Sequence, residues 1–493
     1  MDVEFTVVDA VVIVAYVAGM LAIGAWVGRR HPGLDGYLVA GRGMTTPLLI
    51  CTLVSTFYGV DVLFGTSELA YEEGVVAWFT YSRPMYLFLL VAAFLLAGRL
   101  REHGFRTLPD VLAHHYGRPT QVTGAIASFV YALPSLGLFG LGRLFHALFG
   151  WEPWIGAALF GGVALVYTLQ GGLLADALTD TIQFVMMALT LAVAVPIVMS
   201  RVGGFGVVEE TMGAAFFAPL GAIPGWLAFV YASTGLVVLV EPAFYQRIFA
   251  ARSARDVRNA LLAGILLWAA YDWCVTAAGM LAAAAVEKGL LAGGFHSAEA
   301  LVRVVFWALP VGLAGVFFAG ILAAEMSTID SYCLVAGGNL AYDIYRPLAR
   351  RPPSEGEMLR LTRFGVLLSW VVGFVIAFLF ERLLALWVFT STLLVATVLV
   401  PVLAGLYWKG RVTKLAGLLG CAGGFASAII YYVVLHSLGA PDEEYGTFIW
   451  TFTLGGREFS LWQEYAIFFS LPASAAGFAI GNLTGRSVQP PPM

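Results

Sequence analysis

The chain has 493 residues, of which 60% are hydrophobic and only 12% are charged, and its mean hydropathy is +0.85. Soluble domains carry about 25% charged residues, so this composition excludes a soluble protein and indicates a polytopic membrane protein. The formal net charge is −4. We expect membrane lipid around the chain and no nucleic-acid partner.

Apolar segments recur along the whole chain at a length that suits membrane helices. A helix needs about 20 residues to cross the bilayer core, and thirteen segments meet that requirement. The predicted spans are 6–28, 44–71, 74–99, 122–148, 153–170, 176–201, 225–247, 259–286, 308–336, 358–380, 383–407, 412–436 and 460–483. The expected fold class is an all-α polytopic membrane protein with a single transmembrane domain, residues 1–493.

The distribution of basic residues predicts how these spans are oriented. Lys and Arg concentrate in alternate connections, such as Arg99 and Arg101 after the third span and Arg247 and Arg252 after the seventh. Because cytoplasmic loops carry the excess of Lys and Arg, we predict that the amino terminus lies outside and the carboxyl terminus in the cytoplasm. The first span is longer than the core of a signal peptide, so we expect it to remain as a helix in a bacterial cytoplasmic membrane.

Two spans depart from a uniform apolar pattern. The second places many Ser, Thr and Gly residues at membrane depth between 55 and 67, and the seventh contains Gly235 and the pair Glu241 and Pro242. Proline removes a helix hydrogen bond and glycine weakens the helix. These spans open two successive blocks of five, and interrupted helices at matching positions of two halves indicate a transporter binding site. The alternative is two unrelated kinks.

A stripe of small and polar residues follows the ninth span. Ala324, Ser327, Thr328 and Ser331 have the spacing i, i+3, i+4, i+7, which places them on one face of a helix. Hydroxyl oxygens on such a face could replace the hydration shell of a monovalent cation. The alternative is that they bond back to the helix or join neighbouring helices.

Several longer motifs occur in a recognisable order. They are the segments 37–42, 107–117, 171–183, 246–253, 323–331 and 343–347. Together they resemble the sodium:solute symporter family, whose members transport sugars, proline, pantothenate, sialic acid, monocarboxylates or iodide. The resemblance implies a leucine-transporter-like fold with two inverted five-helix repeats. We expect a peripheral first helix at 6–28, repeats at 44–201 and 225–407, and two C-terminal helices within 412–483.

The resemblance also implies a sodium site between the second and ninth spans. Its ligands would be the backbone carbonyls of Ser55, Tyr58 and Ala324 and the hydroxyls of Ser327 and Thr328. A broken helix frees carbonyl groups, and oxygen ligands suit a hard cation. Sodium is therefore the expected coupling ion, and no other cofactor is expected.

A second sodium ion is implied by Asp180, which matches a carboxylate that some family members use together with residues at the positions of Ser327 and Ser331. The alternative is that Asp180 caps a helix or pairs at the end of the sixth span. Glu325 departs from the apolar residue that the family pattern would place there. It could pair with a cation such as Arg143 or take part in proton chemistry, and the sequence favours neither.

The resemblance implies a substrate pocket near the midplane, between the two broken helices and the third span. The residues expected there are Asp61, Gly65, Arg83, Glu241 and Tyr245. If Arg83 meets the solute, the pocket offers both charge signs and suits an amino acid or a betaine. If the arginine is paired internally, a cationic amine fits better.

These features predict a secondary active transporter rather than an enzyme. We expect a monomer that carries a small organic solute and sodium into the cell by alternating access. Proton coupling by the same fold is one alternative, since Asp61, Glu241 and Glu325 could carry protons. A solute sensor that does not transport is another.

Overall fold

Most of the chain is helical. The computed structural model describes residues 6–30, 33–59, 61–221, 223–310, 313–380, 383–408, 410, 412–442, 447–485 and 487–488. Its α-helices are α1 (Val7–Arg30), α2 (Leu34–Val39), α3 (Thr46–Phe57), α4 (Ser67–Glu73), α5 (Arg83–Val91), α6 (Ala97–Glu102), α7 (Leu108–Tyr116), α8 (Arg118–Tyr131), α9 (Ser135–Phe149), α10 (Pro153–Val202), α11 (Phe205–Met212), α12 (Gly225–Thr234), α13 (Pro242–Ala250), α14 (Ala254–Glu287), α15 (Ala300–Ala308), α16 (Ala314–Gly338), α17 (Arg346–Leu348), α18 (Glu355–Ala377), α19 (Leu383–Tyr407), α20 (Lys414–Leu438) and α21 (Ala466–Thr484).

Short β-strands accompany the last two helices, and the sequence did not predict them. They are β1 (Val412–Thr413), β2 (Ala440–Asp442), β3 (Thr447–Leu454), β4 (Arg457–Trp462) and β5 (Ser487–Val488). Strands β2, β3 and β4 form an antiparallel sheet between α20 and α21, and β1 pairs with β5. These strands leave the predicted all-α class of the membrane-spanning part unchanged.

Eleven helices within the described ranges are long and apolar enough to cross a membrane. The predicted count of thirteen is not confirmed by this criterion. The predicted fifth and sixth spans form one helix of 50 residues, α10, which at about 1.5 Å per residue is far longer than a bilayer core. Its helical geometry is interrupted at Gly172, where φ is 60°. The predicted second span is divided between the short helices α3 and α4.

Both predicted helix breaks are confirmed. In the second span, α3 ends at Phe57, and a π-helical segment begins at Asp61. In the seventh span, α12 continues as a 3₁₀ segment to Leu239, and α13 begins at Pro242. The proline lies at the first position of the new helix, where its missing N–H is not needed. The two breaks therefore expose backbone groups inside the protein.

Helix α16 forms the centre of the bundle. Every residue from Ala314 to Gly338 except Val316 is buried. The helix packs against α1, α3, α9, α10 and α18. A helix that is apolar on all sides is expected in such a central position, so the few polar residues of α16 face other protein elements rather than lipid.

The short helix α7 carries a half-buried histidine, His115. Thr107 caps this helix by accepting a hydrogen bond from the Asp110 amide at 3.2 Å. Burial, together with the neighbouring His114 and His103, lowers the pKa of His115 to about 4. Its Nε2 atom has no hydrogen-bond partner among the described residues. The folded protein therefore holds this ring in its neutral form.

We expect His115 to make the protein sensitive to mild acid. Below the ordinary histidine pKa of about 6.5, the unfolded chain binds a proton that the folded chain does not bind until about pH 4. Stability is therefore lost as the pH falls through this interval. Thermal unfolding of the purified protein between pH 7 and pH 4, measured for wild type and His115→Gln, should show a smaller loss in the variant. A His146→Gln control should follow wild type, and equal slopes for all three would contradict the assignment.

Candidate functional site

The break in the second span lies directly against α16. The Thr328 hydroxyl donates to the carbonyl oxygens of Thr56 at 3.2 Å and Ala324 at 3.3 Å. A Cβ atom placed on Gly59 would lie 1.8 Å from the Thr328 Oγ1 atom. Only glycine therefore allows this approach, and the break and the polar stripe of α16 are held in contact.

The five residues predicted for the first sodium site lie on α16 or at the end of α3, two helices that pack against each other. Ser55, Tyr58, Ala324, Ser327 and Thr328 are each at most 2% exposed. The hydroxyl oxygens of Ser55 and Ser327 lie 2.7 Å apart. The Ser55 carbonyl accepts one hydrogen bond, from the Tyr58 amide at 3.2 Å, and a carbonyl oxygen has a second lone pair. The cluster is thus buried and rich in oxygen ligands.

A buried arginine, Arg247, lies beside the residues predicted for the second sodium ion. The sequence pattern grouped it with loop residues, but it is in α13 and is 0% exposed. Its Nη2 atom lies 2.8 Å from Asp176, 3.2 Å from Asp180 and 2.6 Å from the Ser331 hydroxyl. Its Nε atom donates to the Thr52 hydroxyl at 2.8 Å. An arginine at the end of a broken span was the signal that could have indicated this role.

Three buried carboxylates lie close together beside this arginine, and two of them, Asp176 and Asp180, form ion pairs with it. Asp176, Asp180 and Asp330 each place an oxygen atom within 4.8 Å of the others. Asp180 also accepts from the Ser327 hydroxyl at 2.6 Å, and Asp330 accepts from the Tyr167 hydroxyl at 2.6 Å. One guanidinium offsets one of three potential negative charges, and buried carboxylates in excess of cations require protons or a further cation. The cluster can therefore hold a cation or a proton.

Two residues predicted for the substrate pocket also stabilise the break in the seventh span. Glu241 is the N-cap of α13, and its carboxylate accepts from the Phe244 amide at 2.5 Å. The Tyr245 hydroxyl donates to the Leu239 carbonyl at 2.7 Å. Side-chain caps of this kind satisfy amide groups that a helix start leaves free. Glu241 retains one oxygen, Oε1, without a partner among the described residues.

Among the described residues, the other predicted pocket residues lie in different surroundings. Arg83 is exposed and lies over the Phe79 ring at 4.8 Å from its centroid. Gly65 lies in the π-helical segment, where an added Cβ would meet Leu383 at 3.1 Å. The side chain of Asp61 lies outside the described residues. Glu325, which was not predicted as a pocket residue, is fully buried in α16.

A narrow pocket does lie beside the break in the second span. It is lined by Phe57, Tyr58, Tyr81, Ser82, Met85, Tyr86, Leu89, Trp268 and Asp272. Asp272, on α14, is 4% exposed and accepts a hydrogen bond from the Tyr86 hydroxyl. Asp272 was not among the residues predicted for the site. An isolated carboxylate within an apolar span is the signal that could have identified it.

The geometry defines a class of protein: a helical membrane transporter whose two interrupted helices meet a buried polar cluster. Comparison with known proteins gives the family. The model of the sodium:solute symporter family matches residues 37–424. The chain therefore belongs to the sodium:solute symporter family, whose members are transporters rather than enzymes, and it is an integral membrane protein.

Two solved structures share the fold. One is a Na⁺-coupled sialic acid symporter in a substrate-bound outward-open state, with 16% identity, 99% of this chain and 100% of that chain covered, and a TM-score of 0.79. The other is a nucleobase-cation-symport-1 family transporter in a closed conformation with bromovinylhydantoin bound. It has 13% identity, coverage of 91% and 93%, and a TM-score of 0.55. The predicted leucine-transporter-like fold is confirmed.

The contact at Gly59 yields a stability prediction. Gly59→Ala places a methyl group on the Thr328 hydroxyl, and overpacking of a filled interior costs about 1–3 kcal/mol. We expect a lower midpoint of thermal unfolding for the purified protein. Gly19→Ala is the matched control, because a Cβ there has nothing within 4 Å. An unchanged midpoint for Gly59→Ala would contradict the described contact.

The arginine cluster yields a second stability prediction. Removing one partner of a buried ion pair costs about 3–5 kcal/mol, whereas exposed pairs contribute about 0–1 kcal/mol. Arg247→Met should therefore lower the unfolding midpoint strongly, and Arg252→Met, whose side chain is 66% exposed, should change it little. Adding Asp176→Asn to Arg247→Met should recover part of the loss. Equal effects of the two single variants would contradict a buried charge cluster.

Proposed function

We propose that the protein is a sodium-coupled symporter that carries a small organic solute into the cell by alternating access. The observation that carries this proposal is the contact between the broken second span and the hydroxyl stripe of α16, at Gly59 and Thr328. Membership of the family supports it. Sodium bound there would join two elements that must separate when the transporter changes its open side.

The first sodium ion is proposed to bind the carbonyls of Ser55, Tyr58 and Ala324 and the hydroxyls of Ser327 and Thr328. Burial of all five residues supports this assignment, because a dry site of oxygen ligands replaces the hydration shell of a hard cation. The hydrogen bonds that now join Thr328 to Thr56 and Ala324 would be exchanged for bonds to the ion.

A second sodium ion is proposed at Asp180, Ser327 and Ser331. The three residues form one hydrogen-bonded cluster with Thr56 and Arg247. Since the Arg247 guanidinium contacts both Asp180 and Ser331, an ion that binds these ligands must compete with it. The number of sodium ions transported per solute would then show whether an ion displaces Arg247 from Asp180 and Ser331.

Proton coupling is a second candidate, and the excess of carboxylates around Arg247 favours it. Asp176, Asp180 and Asp330 are buried and close together, so a proton could offset the charge that a second sodium ion would offset. The two candidates differ in the gradient that drives uptake.

The bounds of the repeats, the oligomeric state, the membrane orientation and the solute class are also part of this proposal. Residues 44–201 and 225–407 would form the two inverted repeats, and the chain would act as a monomer in a bacterial cytoplasmic membrane with its amino terminus outside. The solute would be an amino acid, a betaine or another zwitterionic or cationic compound. The carboxylates on the second and seventh spans, Asp61 and Glu241, support this preference.

The test is solute uptake into proteoliposomes under an imposed sodium gradient. We expect wild type to accumulate solute, and the double variant Ser327→Ala with Thr328→Ala to lose sodium dependence. The matched control is Ser470→Ala with Thr397→Ala, whose hydroxyls donate to carbonyls of their own helices. Uptake that ignores sodium and follows a proton gradient would overturn sodium coupling. Unchanged sodium dependence in the first double variant would overturn the ligand assignment.

A further inference from the structure

We propose that Asp272 binds a positively charged nitrogen on the transported solute, so that the solute is an organic cation or a zwitterion. This inference rests on the proposed function and assigns a substrate class to it. It rests on the pocket beside the break in the second span, which Tyr58, Tyr86, Trp268 and Asp272 line together with apolar neighbours.

The carboxylate of Asp272 is buried, and only one of its two oxygen atoms accepts a hydrogen bond from the described residues. The Tyr86 hydroxyl donates to Oδ2, whereas Oδ1 has no hydrogen-bond partner among the described residues. The Ser82 hydroxyl faces the same carboxylate but makes no hydrogen bond of normal geometry. A buried carboxylate with an unsatisfied oxygen is costly, and a group that arrives with a positive charge and N–H donors would satisfy it.

Among the described residues that line the pocket, none is basic and able to neutralise Asp272. Its lining residues are aromatic, aliphatic or hydroxyl-bearing, and Asp272 forms no salt bridge within the described residues. This differs from the cluster around Arg247, where a tethered cation already faces the carboxylates. A cation or proton that neutralises Asp272 therefore comes from outside the lining residues.

Aromatic rings around the carboxylate suit a cationic nitrogen. Tyr58 stacks on Tyr271 with ring centroids 3.9 Å apart, and Trp268 lies edge-on to Tyr58 at 6.3 Å. Phe57 contacts Phe244 of the seventh span at 5.0 Å. Faces of Trp and Tyr attract cations, and cages of such rings bind methylated ammonium groups. A primary ammonium group would gain more from Asp272 Oδ1, and a quaternary one more from the rings.

Two further donors line the same pocket. The Tyr58 hydroxyl and the Trp268 indole N–H are buried and have no hydrogen-bond partner among the described residues. Both suit an oxygen atom, such as a carboxylate or hydroxyl oxygen at the other end of the solute. The pocket is too narrow in this conformation for an organic solute, so its rings must move apart before one enters.

Tyr58 connects this pocket to the proposed sodium site. Its ring lines the pocket, and its carbonyl is a proposed ligand of the first ion. A solute that displaces the ring and an ion that fixes the backbone therefore act on one residue at the end of α3. This arrangement gives a direct physical route for coupling, because each ligand favours a particular position of Tyr58.

The experiment compares solutes that differ in charge at one position. Choline and its neutral isostere 3,3-dimethylbutanol, and alanine and lactate, are tested with glucose for thermal stabilisation of the purified full chain and for uptake into proteoliposomes, with sodium present. We expect binding by at least one compound that carries a charged nitrogen, and no binding by the matched compound that lacks this nitrogen. Preference for choline would assign the rings as the main contact, and preference for alanine would assign Asp272 Oδ1.

Variants of Asp272 then test the residue itself. Charge-assisted hydrogen bonds contribute about 1.5–3 kcal/mol, so Asp272→Asn should weaken binding of the cationic solute by about tenfold or more. Tyr86→Phe is the matched control, because it removes the hydrogen bond to Asp272 but keeps the carboxylate charge. Sodium-induced stabilisation should persist in both variants and shows that each is folded.

The outcomes separate this inference from the proposed function. Sodium-driven uptake of glucose or lactate with unchanged affinity in Asp272→Asn would overturn the assignment of Asp272 while leaving sodium symport intact. An equal loss in Tyr86→Phe and Asp272→Asn would assign Asp272 a structural role and overturn the inference too. Loss of a proton-driven uptake of a neutral solute in Asp272→Asn would make the residue a proton carrier. Uptake of no solute at all would instead overturn the proposed function.

Discussion

One buried guanidinium sets the arrangement of the protein's centre. Arg247 joins α13 to Thr52 of α3, to Asp176 and Asp180 of α10 and to Ser331 of α16. Four helices therefore share a single charge that water cannot reach. Because a buried charge is tolerated only when its partners stay in place, the positions of both broken spans relative to α16 depend on this interaction.

The polar groups continue from this arginine toward the pocket beside the second span. Asp180 accepts from Ser327, and the Ser327 hydroxyl lies against that of Ser55. Three residues further along the chain, Tyr58 turns its ring toward Trp268 and the pocket that holds Asp272. The charge cluster, the proposed ion site and the aromatic pocket are thus consecutive parts of one buried region. A change in any of these three parts therefore affects contacts made by residues at the end of α3.

The sequence predicted the fold well because its signals are local. Apolar length predicted membrane helices, and the residues 235 and 241–242 predicted an interruption that the structure places at Glu241. The partners of side chains were harder to predict, because they depend on how distant helices pack. Arg247 looked like a loop residue, Arg83 looked like a pocket residue although it is exposed, and Asp272 gave no signal beyond its isolation in α14. Glu241 was expected near the solute, and the structure gives its carboxylate a capping bond to Phe244.

The tethering of Arg247 also bears on how the membrane voltage acts on the protein. In the proposed cycle a sodium ion would leave its site at each turnover, whereas a guanidinium on a buried side chain cannot leave. Moving one elementary charge across the whole membrane changes the free energy by about 2.3 kcal/mol at a potential of 100 mV. The cluster of Asp176, Asp180 and Asp330 therefore keeps one fixed positive charge in the unloaded state. If the proposed transport cycle is correct, the protons or ions that accompany the remaining carboxylates would decide which step of the cycle carries current.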